Sequence, residues 1–453
     1  MHHNVIRADR RPWRHRATLI LVAALVAGAG VIGSASPTSA APGRLGSYGF
    51  YQPPQPLPSA KPGTILRRQV HPVTLSVPSQ GGPIPAVATR IMYLSNDTHG
   101  RPAAVTGTYL RSSLPWNGPG PRPLVSVAPG TQGQGDQCAA SKTIGNLPQY
   151  RFPLDLWFNY EILTTYTLLA RGMNVVMTDY HGLGTPAMHD YVNRLAEGHA
   201  VLDSIRAAEQ LTGRRAPAVV FGYSQGGGAA ASAAELQSTY APELDLRGTY
   251  SGAAPADLRE VLRGPVINGI VPGAVGGAGP ALLGYALNGI RADYPETRPA
   301  IDAALSPYGK QMLAESAQTC IGEAALRFMF RPPNVFTLGG VQPDQIIKRS
   351  PALRRAVDLQ RIGTLKPSAP VLVAGGTQDD VIPYHQVRRM AGDWCAQGAT
   401  VTLDTTTWLP PVFPGLAVGH GLEFLPALVS AQSWITDRLA GRPAPNSCRG
   451  GLS

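Results

Sequence analysis

Ser224 is the residue in this sequence best placed to act as a nucleophile. It stands at the centre of Gly222-Tyr223-Ser224-Gln225-Gly226. A serine hydroxyl attacks an acyl carbon only when its Oγ is lifted clear of the backbone and a base takes its proton. The bare Gly-x-Ser-x-Gly pattern is weak evidence in a chain with 51 glycines. Its flanks strengthen it. Ala216-Pro-Ala-Val-Val-Phe221 reads as a buried strand, and Gln225 to about Tyr240 reads as an alanine-rich helix. A strand that turns straight into a helix at the serine gives the strained geometry that exposes Oγ. The glycines two residues before and after allow close backbone passage. The helix N-terminus sets the Gln225 N–H and the positive end of the dipole where an oxyanion forms.

The partners follow from chain order, which for this elbow runs serine, acid, histidine. Only His385 and His420 follow Ser224. His385 comes directly after Pro383-Tyr384, beside the acid candidates, with too little chain before it for another strand. His420, in Ala417-Val418-Gly419-His420-Gly421, falls on the loop between the last strand and the last helix, and is the expected base. The acid should lie in Gly375-Gly-Thr-Gln-Asp379-Asp380-Val-Ile-Pro383, where two aspartates compete to hold the imidazole tautomer. The other aspartate is expected to cap the helix that follows. A second oxyanion donor should come from the loop after a strand at 123–128. Pro129 has no N–H, so Thr131 is the candidate and Gln132 the alternative. The chemistry implied is ester cleavage through an acyl-enzyme, with no cofactor and no metal.

These residues need a scaffold, and the pattern supplies one. Ile84 to Arg111 reads as a hairpin turning at Asn96-Asp97-Thr98-His99-Gly100. Apolar runs at 123–128, 174–180, 216–221, 247–252, 369–375 and 400–404 alternate with helical stretches at 155–171, 196–212, 225–240, 384–394 and 422–440. That alternation predicts a mostly parallel, doubly wound α/β sheet. It breaks between 256 and 350, which reads as an inserted helical cap. Within that stretch, Gly264 to Ile290 is glycine-rich and uncharged, the pattern of a buried cap segment or of a mobile apolar lid. The expected layout is therefore a core of 65–255 and 351–448, a cap at 256–350, and a proline-rich lead-in at 41–64.

Bulk properties narrow the setting. Five arginines between Arg7 and Arg16 precede an uncharged run from Ala17 to Ala35 and the small residues Ser36 to Ala41. This is a signal peptide with a cut after Ala40 or Ala41; an uncleaved anchor is the alternative. Of the formal charge of +11, about +7 remains beyond position 40. No basic cluster interleaves with aromatics, which argues against nucleic-acid binding. Cys138, Cys320, Cys395 and Cys448 are even in number in an exported chain, so two disulfides are expected. Spacing alone leaves all three pairings open.

Several segments together resemble the secretory lipase family, the α/β-hydrolases of the fungal lipase A type with actinobacterial relatives. They are Gly133-Gln-Gly-Asp-Gln-Cys138-Ala-Ala-Ser141, Asp179-Tyr-His-Gly-Leu-Gly-Thr-Pro186, Asp203-Ser-Ile-Arg-Ala-Ala208, the Gly-Tyr-Ser-Gln-Gly elbow, Gly376-Thr-Gln-Asp-Asp-Val-Ile-Pro383 and Gly419-His420. The resemblance spans about 65–445. It implies hydrolysis of triacylglycerols or other carboxylic esters, a helical cap with a lid, and no cofactor. It assigns the acid to Asp379. It also implies the pairs Cys138–Cys320, tying core to cap, and Cys395–Cys448, tying down the C-terminus. Where relatives often carry His-Gly in the oxyanion loop, this chain has Pro129-Gly130. The expected partners are an ester or lipid substrate and a lipid or cell-envelope surface, with the protein secreted or envelope-bound as a monomer. The competing readings are acyl transfer to an envelope alcohol and a catalytically silent binding protein on the same scaffold.

Overall fold

Strands buried on both faces must lie inside a layered sheet, and the apolar runs of this chain do. The computed structural model describes residues 49–71, 73–77, 80–83, 85–145, 148–151, 155–264, 279–329, 331 and 333–450. The segment read as a signal peptide, the first part of the lead-in and residues 265–278 of the uncharged cap stretch lie outside them. Nine strands form the main sheet: β1 (Ile65–Val70), β2 (Ala86–Asn96), β3 (Pro102–Ser112), β4 (Leu124–Ala128), β5 (Asn174–His181), β6 (Ala218–Tyr223), β7 (Leu246–Gly252), β8 (Val371–Gly376) and β9 (Val401–Thr406). Their order is β1-β2-β3-β5-β4-β6-β7-β8-β9. The first three pairings are antiparallel. From β5 onward every pairing is parallel.

The helices around the sheet are α1 (Glu161–Ala170), α2 (Arg194–Thr212), α3 (Gln225–Tyr240), α11 (Tyr384–Ala396) and α12 (Val418–Leu439), with α4 to α10 forming the cap described below. Side-chain alternation divides the core. Val125, Val127, Val219 and Phe221 face α1, α11 and α12, while Leu124, Ala128, Ala218 and Val220 face α2 and α3. The sheet is thus covered on both sides, as its all-buried strands require.

Between β7 and β8 come the cap helices α4 (Leu258–Arg263), α5 (Gly279–Asp293), α6 (Arg298–Ala304), α7 (Pro307–Ser316), α8 (Ile321–Phe328), α9 (Pro343–Arg349) and α10 (Pro351–Asp358). They share their own apolar cluster, which includes Tyr285, Met312, Phe328 and Phe336. Leu353 and Val357 of α10 belong to this cluster, so cap packing runs past residue 350. The disulfide Cys138–Cys320 joins the segment after β4 to the start of α8, and Cys395–Cys448 ties the C-terminal segment to α11.

One element differs from expectation. Residues 155–158 are not helical: Asp155–Phe158 pairs with Pro148–Arg151 in a small antiparallel ribbon. The buried Asn159 side chain accepts the Glu161 N–H at 3.2 Å and donates to Thr143, which starts α1 at Glu161 and blocks extension backward. The described end of the lead-in takes part in packing. Phe50 and Tyr51 are buried against Met92 and Ala104.

Candidate active site

Ser224 is the single residue between the end of β6 at Tyr223 and the start of α3 at Gln225. The serine sits at φ 60° and ψ −125°, a conformation that costs a non-glycine residue about 1–3 kcal/mol. Its neighbours hold it there. The Ser224 N–H donates to the Gly252 carbonyl at 2.9 Å, and its carbonyl accepts from Gly228 N at 3.1 Å. The glycines are required by contact. A Cβ at Gly222 would collide with the Gly226 carbonyl, one at Gly226 with the Ala128 carbonyl of β4, and one at Gly227 with the Gly252 carbonyl of β7. The alanine-rich helix can therefore press directly on the sheet.

Beneath the elbow, the Gln225 side chain donates to the buried Glu197 at 2.6 Å and meets His189 Nε2 at 3.1 Å. Burial raises the pKa of Glu197 well above the usual carboxylate range. The Gln225 side chain is thus occupied, while its backbone N–H has no protein acceptor among the described residues.

Asp379 follows β8 and is 3% exposed. Its Oδ1 accepts the backbone N–H groups of Val381 and Ile382, each at 2.8 Å, and its Oδ2 meets His420 Nδ1 at 2.8 Å. Burial disfavours a charged His420, but the Asp379 carboxylate prevails and raises its pKa. The Nδ1 contact leaves Nε2 as the imidazole atom for proton transfer. The Tyr223 hydroxyl, on the residue before Ser224, donates to the His420 carbonyl at 2.7 Å and so ties the elbow to the histidine segment.

His420 lies in the first turn of α12 rather than on a free loop. The expected capping role of the second aspartate also falls elsewhere. Asp380 does not cap α11, whose N-cap is Pro383. Asp380 Oδ1 instead accepts the His420 N–H at 3.0 Å, and Oδ2 accepts the Gly415 N–H at 2.8 Å. It caps α12 from another part of the chain, because the α12 N-cap, Ala417, is left-handed and offers no side-chain cap. The two aspartates thus divide the work, one holding the imidazole ring and the other the backbone that carries it. His385, the other histidine after Ser224, is exposed and pairs with Glu260 at 3.2 Å.

In the loop after β4, the Gly130 N–H donates to Glu161 Oε1 at 2.8 Å. The N–H groups of Thr131 and Gln132 have no protein acceptor among the described residues. The Thr131 hydroxyl bonds that of Tyr191 at 2.7 Å. A cavity of about 260 Å³ has Ser224 and Gln225 in its wall, together with apolar cap residues such as Leu258, Leu283, Leu287, Phe336 and Ile347. No group of acidic, histidine or cysteine side chains suited to a metal occurs among the described residues. Sequence reasoning did not single out Glu161, Glu197, Tyr191 or Glu423. A lone acid at a helix start or inside a helix looks like an ordinary solvated charge until its burial is known.

The sheet order, the serine elbow and the histidine after the last strand define the class as an α/β-hydrolase. The chain belongs to the secretory lipase family, whose model, described as "Secretory lipase", matches residues 153–447. It is 28% identical over 421 residues to Lipase 10 of Candida albicans, covering 88% of this chain and 82% of that one. It is 28% identical over 416 residues to a secreted triacylglycerol lipase of Malassezia globosa, covering 88% and 83%. A Mycobacterium tuberculosis protein named "probable inactive lipase" is 29% identical over 414 residues, covering 87% and 82%. In three dimensions the chain resembles Candida antarctica lipase A, with a TM-score of 0.69 at 20% identity over 88% of this chain and 87% of that one. It also resembles the rice cell wall degrading esterase LipA from Xanthomonas oryzae, with a TM-score of 0.67 at 17% identity over 84% and 100%. At such identities these two likenesses show the fold alone.

Proposed function

We propose that this chain is exported by cleavage after Ala40 or Ala41 and hydrolyses carboxylic esters with apolar acyl chains through an acyl-enzyme on Ser224. The observation that carries the reading is the apolar cavity with Ser224 in its wall. A nucleophile at the edge of a hydrophobic space favours esters whose acyl part can fill that space. In this reading His420 Nε2 takes the Ser224 proton as Oγ attacks the ester carbonyl. Asp379 holds the resulting imidazolium, and the Gln225 and Thr131 N–H groups receive the oxyanion. The proton then passes to the leaving alcohol. Water, deprotonated by the same histidine, releases the acid.

The secretory lipase family and the relatives named as secreted triacylglycerol lipases support export and a lipid ester substrate. No helix among the described residues is long and apolar enough to cross a membrane. Contact with a lipid surface is supported by Thr407-Trp-Leu-Pro-Pro-Val-Phe-Pro414, an uncharged segment that leads into the His420 helix. In it Trp408 is 67% and Phe413 70% exposed.

The test is labelling with a fluorophosphonate probe, followed by peptide mapping and an acyl-chain series of p-nitrophenyl esters. Ser224 should carry the label, Ser224→Ala should be inactive, and turnover should favour chains longer than acetate. Undiminished hydrolysis by Ser224→Ala would remove the assignment. Amino-terminal sequencing of the exported protein should begin at Ala41 or Pro42.

A further inference from the structure

Three consecutive residues of the loop after β4 are each held by a side chain from a different element. The Tyr180 hydroxyl of β5 donates to the Pro129 carbonyl at 2.7 Å. The Gly130 N–H donates to Glu161 of α1 at 2.8 Å. The Thr131 hydroxyl bonds Tyr191, in the segment before α2, at 2.7 Å. Only the middle contact puts an acid in the interior. Glu161 is 1% exposed, and its Oε2 has no hydrogen-bond partner among the described residues. A buried carboxyl with one oxygen unmatched is destabilising, and an apolar residue at the same place would avoid that penalty.

We propose that Glu161 is the positioning residue of the oxyanion loop: by accepting the Gly130 N–H it fixes the peptide before Thr131 and leaves the Thr131 N–H as the loop's donor to the oxyanion. The inference rests on the Ser224 reading above. Three further observations support it. First, the loop meets the elbow at Gly130. A Cβ there would collide with the Tyr160 hydroxyl and come within 3.1 Å of the Tyr223 carbonyl. Tyr160 and Glu161, adjacent in sequence, therefore clasp the glycine from one side while the elbow closes the other.

Second, Gln132 is drawn toward the cap. Its side chain returns to the Gly130 carbonyl at 3.0 Å, and its own carbonyl accepts from Ile321 at 3.0 Å. Gly133 then bridges to Cys320. Thr131, by contrast, bonds Tyr191, which lines the same cavity as Ser224. Third, burial pushes the Glu161 pKa up to about 7. At and below neutral pH much of it is an uncharged acid, whose carbonyl oxygen still accepts the Gly130 N–H without adding negative charge beside a developing oxyanion.

This assignment also accounts for the departure at Pro129-Gly130. Proline brings no N–H, Glu161 consumes that of glycine, and the third residue of the loop is left to act.

The experiment compares Glu161→Gln, which keeps an acceptor, with Glu161→Ala, which removes it, on a soluble short-chain p-nitrophenyl ester. Glu161→Gln should hold kcat within about threefold. Glu161→Ala should lower kcat by about 10²-fold, the loss typical of one missing oxyanion donor, with KM within twofold. The affinity of a trifluoromethyl ketone, which forms the tetrahedral adduct, should fall by the same factor, while inhibition by the product alcohol should not change. Should the alanine variant fail to fold, Glu161→Met fills the space without an acceptor and gives the same comparison. An unchanged kcat without the acceptor, an equal loss in the glutamine variant, or a loss carried by KM overturns the inference. Fluorophosphonate labelling separates the two levels. A Ser224 that does not label in the unmodified protein removes the underlying reading, whereas normal labelling with an unchanged kcat in Glu161→Ala removes this inference alone.

Discussion

Glu423→Gln tests whether the interior around His420 holds an acid in its neutral form. Glu423 lies one helical turn beyond His420, is 2% exposed, and packs against the Gly376 backbone at the end of β8. Burial, with the Asp379 charge beside it, pushes its pKa up to about 8. In an unfolded chain a glutamic acid titrates near 4.3. The folded protein therefore binds this proton more tightly than the unfolded chain. Its contribution is fully present below about pH 4 and is lost as pH rises to about 8. The slope in that window is about 1.4 kcal/mol per pH unit, which makes the loss on the order of 3 kcal/mol by pH 7.

Glutamine has the same shape and does not titrate, so the variant should escape this loss. The assay is urea unfolding of both proteins, disulfides intact, at pH 4.5, 6, 7 and 8. Other titrating groups are common to both and cancel in the difference. The glutamine variant should gain on the wild type by about 3 kcal/mol between pH 4.5 and 7. A difference that stays constant across that range would refute the reasoning, because it would mean that Glu423 is ionised in the folded state as it is in the unfolded one.

Other outcomes follow from the same geometry. Asp379→Asn should lower kcat by about 10³–10⁴-fold, as expected when the imidazole loses its orienting carboxylate. In the unmodified protein the acid limb of kcat/KM should have its midpoint above the ordinary histidine value of about 6.5, because Asp379 raises the His420 pKa and only neutral imidazole accepts the Ser224 proton. In Asp379→Asn that midpoint should move down. Asp380→Asn keeps the ring contact and weakens only the backbone cap, so its kcat should fall by about tenfold, with an acid limb near that of the wild type. Replacing Cys138 and Cys320 together by alanine should lower stability by about 2–5 kcal/mol in chemical denaturation, given a loop of 182 residues. Trp408→Ser with Phe413→Ser should reduce binding to phosphatidylcholine vesicles, measured by co-sedimentation, and lower turnover of an emulsified ester, while turnover of a soluble ester stays unchanged. Equal loss on both substrates would argue against a surface-contact role.

Much of the scaffold was legible because its signals are local. A short apolar run such as Leu124–Ala128, bounded by turn residues, reads as a core strand. A glycine-and-alanine helix after Phe221 can only pack closely. The room for one more strand between the acid and the base separates His420 from His385. The start of α1 was not legible, because the Asn159 side chain that stops the helix is fixed by a tertiary contact with Thr143, sixteen residues earlier. The residues by themselves did not divide the two aspartates; only the resemblance gave the ring to Asp379, and the role of Asp380 was misplaced. Asp379 and Asp380 are adjacent and chemically identical, and what distinguishes them is that one faces an imidazole ring and the other the first turn of α12, some forty residues later.

By itself, then, the sequence determined the order of strands and helices, the elbow that strains Ser224, and the histidine that follows the last strand. These rest on periodicity and on small residues where backbones touch. Tertiary structure alone decided which carboxyls are buried and what they hold: Asp379 the ring, Asp380 the helix start, Glu161 the Gly130 N–H of the loop after β4. The role of a carboxyl depends on its desolvation and on the donors that reach it, and both are set by chain segments distant in sequence.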